Sequence, residues 1–193
     1  MKATAISIPA SYTTFIAPVT SSKVYGDISK SNDFNHLESP YVVKLRNIFE
    51  IAPPKSIWTF QHPTQLELSN QVNSNFNHHN TRYTKNDFNV AQDCIIHGIA
   101  GYFECVLYKD ITISTNPATH SPGMFSWFPI FFPIKSPMFL ARNSSIGVSF
   151  WRLSDTRKVW YEWSVVSSVQ GVELLGDACG IHNPGGVSSW IGL

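Results

Sequence analysis

Alternation of apolar and polar residues governs most of this chain, and it predicts strands. Tyr41 to Ile48 alternates over eight positions, as a half-buried strand does. Ile95 to Ser114 is a long β-branched and aromatic run whose most polar interruption is Lys109-Asp110. Ser145 to Leu153 and Lys158 to Ser167 read as two strands joined by the hairpin loop Ser154-Asp-Thr-Arg157. Period two puts Val159, Tyr161, Trp163 and Val165 on one face, which is expected to be core. A helix is expected only from Ser22 to about Ser29, capped by Thr20 or Ser21 and weakened by Gly26. The 12 prolines and 11 glycines recur too often for long elements. The predicted fold class is therefore all-β, a β-barrel or sandwich of many short antiparallel strands with one or two short helices and a long polar loop.

That loop is Gln61 to Asn89, which holds seven asparagines and little apolar content. His78-His79 within it has no carboxylate or cysteine at ligand spacing and reads as solvated loop, so no metal site is expected. With 193 residues, 43% of them apolar and 14% charged, the chain can build one domain with a substantial core and a thin charge coat. A net charge of +1 gives no electrostatic footprint for direct nucleic-acid binding. Cys94, Cys105 and Cys179 are odd in number and lack CxxC spacing, so they are expected to be buried structural thiols. No membrane span is expected, since no run reaches the roughly 18 apolar residues one requires. The start from Met1 to Pro9 has the outline of a leader, but Ser and Thr break its apolar run. Asn143-Ser-Ser145 fits a glycosylation sequon, a tripeptide common by chance.

The sequence carries no dinucleotide or phosphate-loop glycine motif, no HExxH and no GxSxG. Asp27, Asp33, Glu38, Asp155 and Asp177 lie scattered on polar stretches, with no close acidic pair in an apolar loop. No catalytic residue or cofactor-binding residue is therefore expected in this chain. The candidate chemistry lies in Thr119-His-Ser-Pro-Gly-Met-Phe-Ser-Trp-Phe-Pro129. Pro122-Gly123 forces a turn, and Pro129 keeps Trp127 and Phe128 out of a helix. Read on the residues alone, these two aromatics either plug the rim of the barrel or present a wall to a flat or cationic ligand.

In its motifs the chain resembles the C-terminal β-barrel domain of the protein arginine methyltransferase 5 family. The resemblance runs in order through Tyr12 to Tyr25, Pro40 to Leu45, Thr59 to Pro63 and His97 to Glu104. It is densest from Val106 to Ile113, Thr119 to Pro129 and Phe132 to Lys135, and resumes at Phe150-Trp-Arg152, Lys158 to Trp163, Ile181-His-Asn-Pro184 and Ile191-Gly-Leu193. It implies that residues 1–10 end an upstream methyl-donor domain and that 11–193 form the C-terminal β-barrel and oligomerisation domain. Gln61 to Asn89 and Val169 to Ala178 are longer than the family pattern.

What the resemblance implies for function is a protein arginine N-methyltransferase that makes symmetric dimethylarginine on histones and other proteins from S-adenosylmethionine. The donor site and the two glutamates that grip the target arginine would lie upstream. Trp127 matches the tryptophan that stacks on the substrate guanidinium, and Phe125, Ser126 and Phe128 match its substrate-binding neighbours. The implied partners are a second copy of the chain, arginine-containing protein substrates, the upstream donor domain and a WD-repeat adaptor, in cytoplasm and nucleus. The segment from Asn47 to about Asp93 overlaps the family's dimerisation element, where Ile48, Phe49, Ile51 and Trp58, if exposed, would suit a partner. The alternative reading is a stand-alone carbohydrate- or ligand-binding β-sandwich built on Trp58, Trp127 and Trp190.

Overall fold

A computed structural model describes residues 6–31, 34–62, 80–174 and 180–193. The strands are β1 (Ser11–Thr20), β2 (Tyr41–Val42), β3 (Phe49–Glu50), β4 (Lys55–Gln61), β5 (Arg82–Asn89) and β6 (Cys94–Tyr108). They continue with β7 (Ile111–Ser114), β8 (Ile130–Leu140), β9 (Ser145–Ser154), β10 (Lys158–Val169), β11 (Val172–Leu174) and β12 (Ile191–Gly192). One helix, α1 (Ser22–Ser29), and the 3₁₀ turns Phe34–Glu38 and Pro184–Gly186 complete the described elements. All ladders are antiparallel. Among the described residues they form two sheets, β2-β8-β6-β1-β3 with β4 on β1 and β7 on β6, and β11-β10-β9-β5 with β12 on β10. The architecture is sandwich-like and all-β, and among the described residues no ladder closes it into a cylinder.

Apolar side chains fill the space between the sheets, because each sheet must bury one face. Ile16, Phe60, Phe88, Ile99, Phe132, Phe150 and Trp163 form this core. Phe132 sits at its centre, with Phe150 and Trp163 in edge-to-face contact at 4.7 and 5.3 Å. The outer face of the larger sheet is covered as well. Ala17, Val19, Ala100, Tyr102 and Phe131 pack there beneath Val24 and Ile28 of α1 and beneath Val43, Leu45 and Ile48. That double cover explains why β6 reads as a nearly continuous apolar run. It also demands Gly98: a Cβ there would lie 2.4 Å from the Phe132 carbonyl oxygen and 2.6 Å from Cζ of Phe131.

The C-terminal Ile181-His-Asn-Pro184 segment locks this core. His182 is fully buried and stacks on Trp163 at 5.3 Å and 14°. Its Nε2 accepts the Lys135 N–H at 2.9 Å, and Nδ1, 3.1 Å from the Trp163 carbonyl, carries the proton. Burial holds its pKa down at about 4, so the ring is neutral. Asn183 takes the left-handed φ of 55°, and its amide nitrogen donates to the carbonyls of Tyr161 and Ser189 at 2.9 and 2.8 Å.

Three of the four expected strand runs appear, as β6 with β7, β9 and β10, while the sequence pattern does not single out β1, β4 or β8. Lys109, at φ 53°, and Asp110 turn the long run into the β6–β7 hairpin. Ser154 to Arg157 joins β9 to β10, with Asp155 Oδ1 accepting the N–H groups of Arg157 and Lys158. Val159, Trp163 and Val165 are buried, and Tyr161 packs against them.

Four expectations are corrected. Tyr41 to Ile48 is not one strand: only Tyr41–Val42 is laddered, on β8. The next residues leave the sheet after the Val43 N–H to Pro129 carbonyl bond: the Arg46 N–H turns back to the Lys44 carbonyl at 2.8 Å, and Asn47 follows at φ 56°. Its alternation survives as packing, with Val43 and Leu45 turned inward. The Ser21 side chain does not cap α1; its hydroxyl is buried and makes no hydrogen bond, while its carbonyl accepts the Tyr25 N–H. The polar loop ends early, because Arg82–Asn89 is β5, laddered along β9 with Phe88 as its one buried residue. Residues 63–79, including His78 and His79, lie outside the described residues. Ile51 and Trp58 are not surface residues: at 5% and 8% exposure they belong to the core, leaving Phe49 as the exposed member of that set. Cys105 is buried and Cys94 half-buried, both as free thiols, and Cys179 lies outside the described residues.

Candidate functional site

The loop 115–129 joins β7 to β8 and is rigid at its base because small polar residues close it on themselves. The Ser121 N–H donates to the Ser114 carbonyl at 3.0 Å, and the Ser114 N–H donates back to the Ser121 hydroxyl at 2.9 Å. Thr115 exchanges two bonds with Phe103 of β6: its N–H donates to the Phe103 carbonyl at 2.9 Å, and its Oγ1 accepts the Phe103 N–H at 3.0 Å. The Pro122-Gly123 turn, with Gly123 at φ 73°, then sends the chain outward.

Beyond that turn the four sequence-predicted residues form an arm. Phe125 is 85% exposed, Ser126 is exposed, Trp127 is 57% exposed and Phe128 is half-buried. Trp127 meets Phe103 at 5.4 Å and 67°, a contact that holds the indole while leaving most of it open. The Phe128 ring lies under Lys44 Nζ at 4.9 Å. Trp127 and Phe128 do not plug the end of the sandwich; they wall a surface cavity of about 760 Å³.

The cavity is also lined by Lys44 and Arg46 of the irregular segment after β2 and by Phe49 of β3, with Glu50 and Tyr102 as its floor. Tyr102 is 3% exposed and donates its hydroxyl to Glu50 Oε1 at 2.6 Å. Burial first, and the Glu50 carboxylate second, push its phenol far above the usual range, so it stays a donor. The cavity therefore offers one carboxylate on its floor, cations on its rim and an open indole. Its lining holds no second carboxylate. Among the described residues no cluster of three His, Cys, Asp or Glu could hold a metal, and no helix is long and apolar enough to cross a membrane.

The sequence alone points to the aromatic arm but not to Lys44, Arg46, Glu50 and Tyr102, which line the cavity with it, nor to Phe103 and Glu104, which hold Trp127 and the base of its loop. One signal was available, since Glu104 is a lone carboxylate within an apolar strand run. The tryptophans of the carbohydrate-binding alternative do not assemble, because Trp58 is a core residue and Trp190 does not line the cavity.

Comparison with known proteins gives one consistent answer. The family described as the PRMT5 oligomerisation domain matches residues 11–191. Protein arginine N-methyltransferase 5 of Oryza sativa subsp. indica is 44% identical over 100% of this chain and 28% of the relative. The Xenopus laevis protein of that name is 40% identical over 100% of this chain and 29% of the relative. Among solved structures, the Trypanosoma brucei PRMT1 enzyme-prozyme heterotetrameric complex with AdoHcy aligns with a TM-score of 0.63 at 8% identity. It covers 86% of this chain and 54% of that one, and shows a shared fold. The chain thus spans less than a third of the length of the curated relatives it matches, and on the match over residues 11–191 it belongs to the PRMT5 oligomerisation domain family.

Proposed function

We propose that this chain serves as the substrate-side and oligomerisation domain of an S-adenosylmethionine-dependent protein arginine methyltransferase. Residues 1–10 would lead in from the methyl-donor part, a boundary supported by the start of both β1 and the family match at Ser11. The observation that carries the reading is Trp127, an indole more than half exposed on a loop whose base is fixed, at the mouth of a cavity. A guanidinium is planar, permanently charged and weakly hydrated, so an indole face can hold it without a counter-charge. Stacking leaves its in-plane nitrogens free for carboxylates and for methyl attack. Phe125 and Phe128 would flank the substrate, and Ser126 would offer its backbone to the substrate chain.

The described residues do not fit S-adenosylmethionine. At Gly98 and Gly101, the closely spaced glycines of β6, an added Cβ would lie 2.4 and 3.0 Å from Phe132 atoms, so they face packed protein rather than a cradle for a ligand. The donor site and the carboxylates that grip arginine are therefore assigned to the part of the enzyme that this chain does not span. The Trypanosoma brucei neighbour, solved with AdoHcy as a heterotetramer, supports both the cofactor class and assembly. The reading extends to symmetric dimethylation of histones and other proteins, to homo-oligomers, to a WD-repeat adaptor as partner, and to cytoplasm and nucleus as location.

Trp127→Ala in the complete enzyme tests the reading. Loss of a desolvated cation–π contact of about 2 kcal/mol lowers turnover roughly thirtyfold. Affinity for the methyl donor should not change, and Trp127→Phe should be milder. Wild-type turnover in the Ala variant would refute the role.

A further inference from the structure

Consecutive residues of β6 hold different parts of this site. Tyr102 secures Glu50 on the floor, Phe103 meets Trp127, and Glu104 reaches the base of the loop. Oε1 of Glu104 accepts two hydrogen bonds, from Asn116 Nδ2 at 3.0 Å and from the Thr119 hydroxyl at 2.5 Å. Both donors belong to the first turn of the loop, where Ser114 Oγ also lies 2.9 Å from Thr119 Oγ1 and accepts the Asn116 N–H at 3.0 Å. One carboxylate oxygen thus closes the turn onto β6. The neighbouring Phe103 is bonded through its backbone to Thr115 and touches the Trp127 ring. Loop base and indole are therefore held by adjacent residues of one strand.

We propose that Glu104 is a positioning residue: by gripping Asn116 and Thr119 it fixes the orientation of Trp127 toward a guanidinium without touching the substrate. This rests on the stacking role of Trp127 given above. The charge matters, because hydrogen bonds to an ionised acceptor are about twice as strong as neutral ones. Glu104→Gln keeps the shape and an acceptor but loses the charge; Glu104→Ala removes the grip.

A double-mutant cycle in the complete enzyme tests this, with Glu104→Ala, Glu104→Gln, Trp127→Ala and the double Ala variant. Hydrogen exchange of the 114–123 segment is followed alongside turnover. Glu104→Ala should speed exchange in that segment about tenfold while the ladders of β6, β9 and β10 keep their protection. It should lower kcat about tenfold with unchanged KM for the methyl donor, and Glu104→Gln should recover most of both. Because Glu104 acts through Trp127, the double variant should be no slower than Trp127→Ala alone. Should Glu104→Ala fail to fold, Glu104→Gln carries the same cycle with a loss of about threefold. Independent, multiplying losses would overturn the proposal, as would a fully active Glu104→Ala beside a crippled Trp127→Ala. A fully active Trp127→Ala would overturn the stacking role and the positioning role together.

Discussion

Acidification from about pH 7 to about pH 5 is expected to weaken this fold chiefly at His182, and the structure sets the size of the effect. The ring is buried and neutral, stacked on Trp163, with Nε2 occupied as the acceptor for the Lys135 N–H. Its pKa falls from 6.5 to about 4, through burial first, with the Lys135 ammonium adding to the depression and Glu38 opposing it. A depressed histidine binds its proton more readily when unfolded, so its contribution is complete above about pH 6.5 and declines as pH falls toward 4. Linkage puts the loss at about 2 kcal/mol by pH 5 and about 3 kcal/mol by pH 4.

Urea unfolding at a series of pH values is the assay. With a slope of about 2 kcal/mol per molar, the midpoint should drop by about 1 M between pH 7 and pH 5. His97, whose pKa burial also lowers, acts in the same direction, so a His182→Gln variant is required. It keeps a side-chain acceptor for Lys135 but cannot titrate. It should be less stable at neutral pH and lose most of the dependence between pH 7 and 5. The carboxyl of Glu38 is pulled upward by burial but more strongly downward by Lys135 and Ser188, so its share is lost below that window. A midpoint just as pH-dependent in His182→Gln as in the wild type would refute the assignment.

Two further outcomes are expected. Gly98→Ala should destabilise the chain by about 1–3 kcal/mol, because the new methyl meets the Phe132 backbone rather than a flexible side-chain end; an unchanged thermal midpoint would count against the packing described for β6. The isolated chain should associate in the micromolar range by sedimentation equilibrium, and Phe49→Lys should weaken that about fivefold, the value of roughly 1 kcal/mol of contact. Unaltered association would place the contact away from the Phe49 edge.

The sequence by itself determined β6, β7, β9 and β10, but it did not single out β1, β4 or β8, whose prolines, threonines and serines break the apolar pattern. Alternation in β9 and β10, the unbroken run of β6 and the Lys109-Asp110 turn were legible because side-chain period and burial agree there. The aromatic arm was legible too, since Pro122-Gly123 and Pro129 forbid helix and large rings in a loop need a purpose. β5 was not: its residues are mostly polar, and only the ladder offered by β9 makes them a strand. The same limit applied to Tyr41 to Ile48, whose alternation reports packing on the outer face while its backbone leaves the sheet. Ile51 and Trp58 looked available for a partner because an apolar residue does not record which surface it meets.

Tertiary structure alone decided the cavity. Glu50 meets Tyr102 across 52 positions, Asn116 reaches Glu104 across 12, and Lys44 lies over Phe128. Local pattern encodes which face of an element is buried; it does not encode which distant polar groups the packed sheets bring within hydrogen-bonding distance. The aromatic half of the site could thus be read from its own segment, while the polar half exists only once β6, the loop 115–129 and the 44–50 segment are folded side by side.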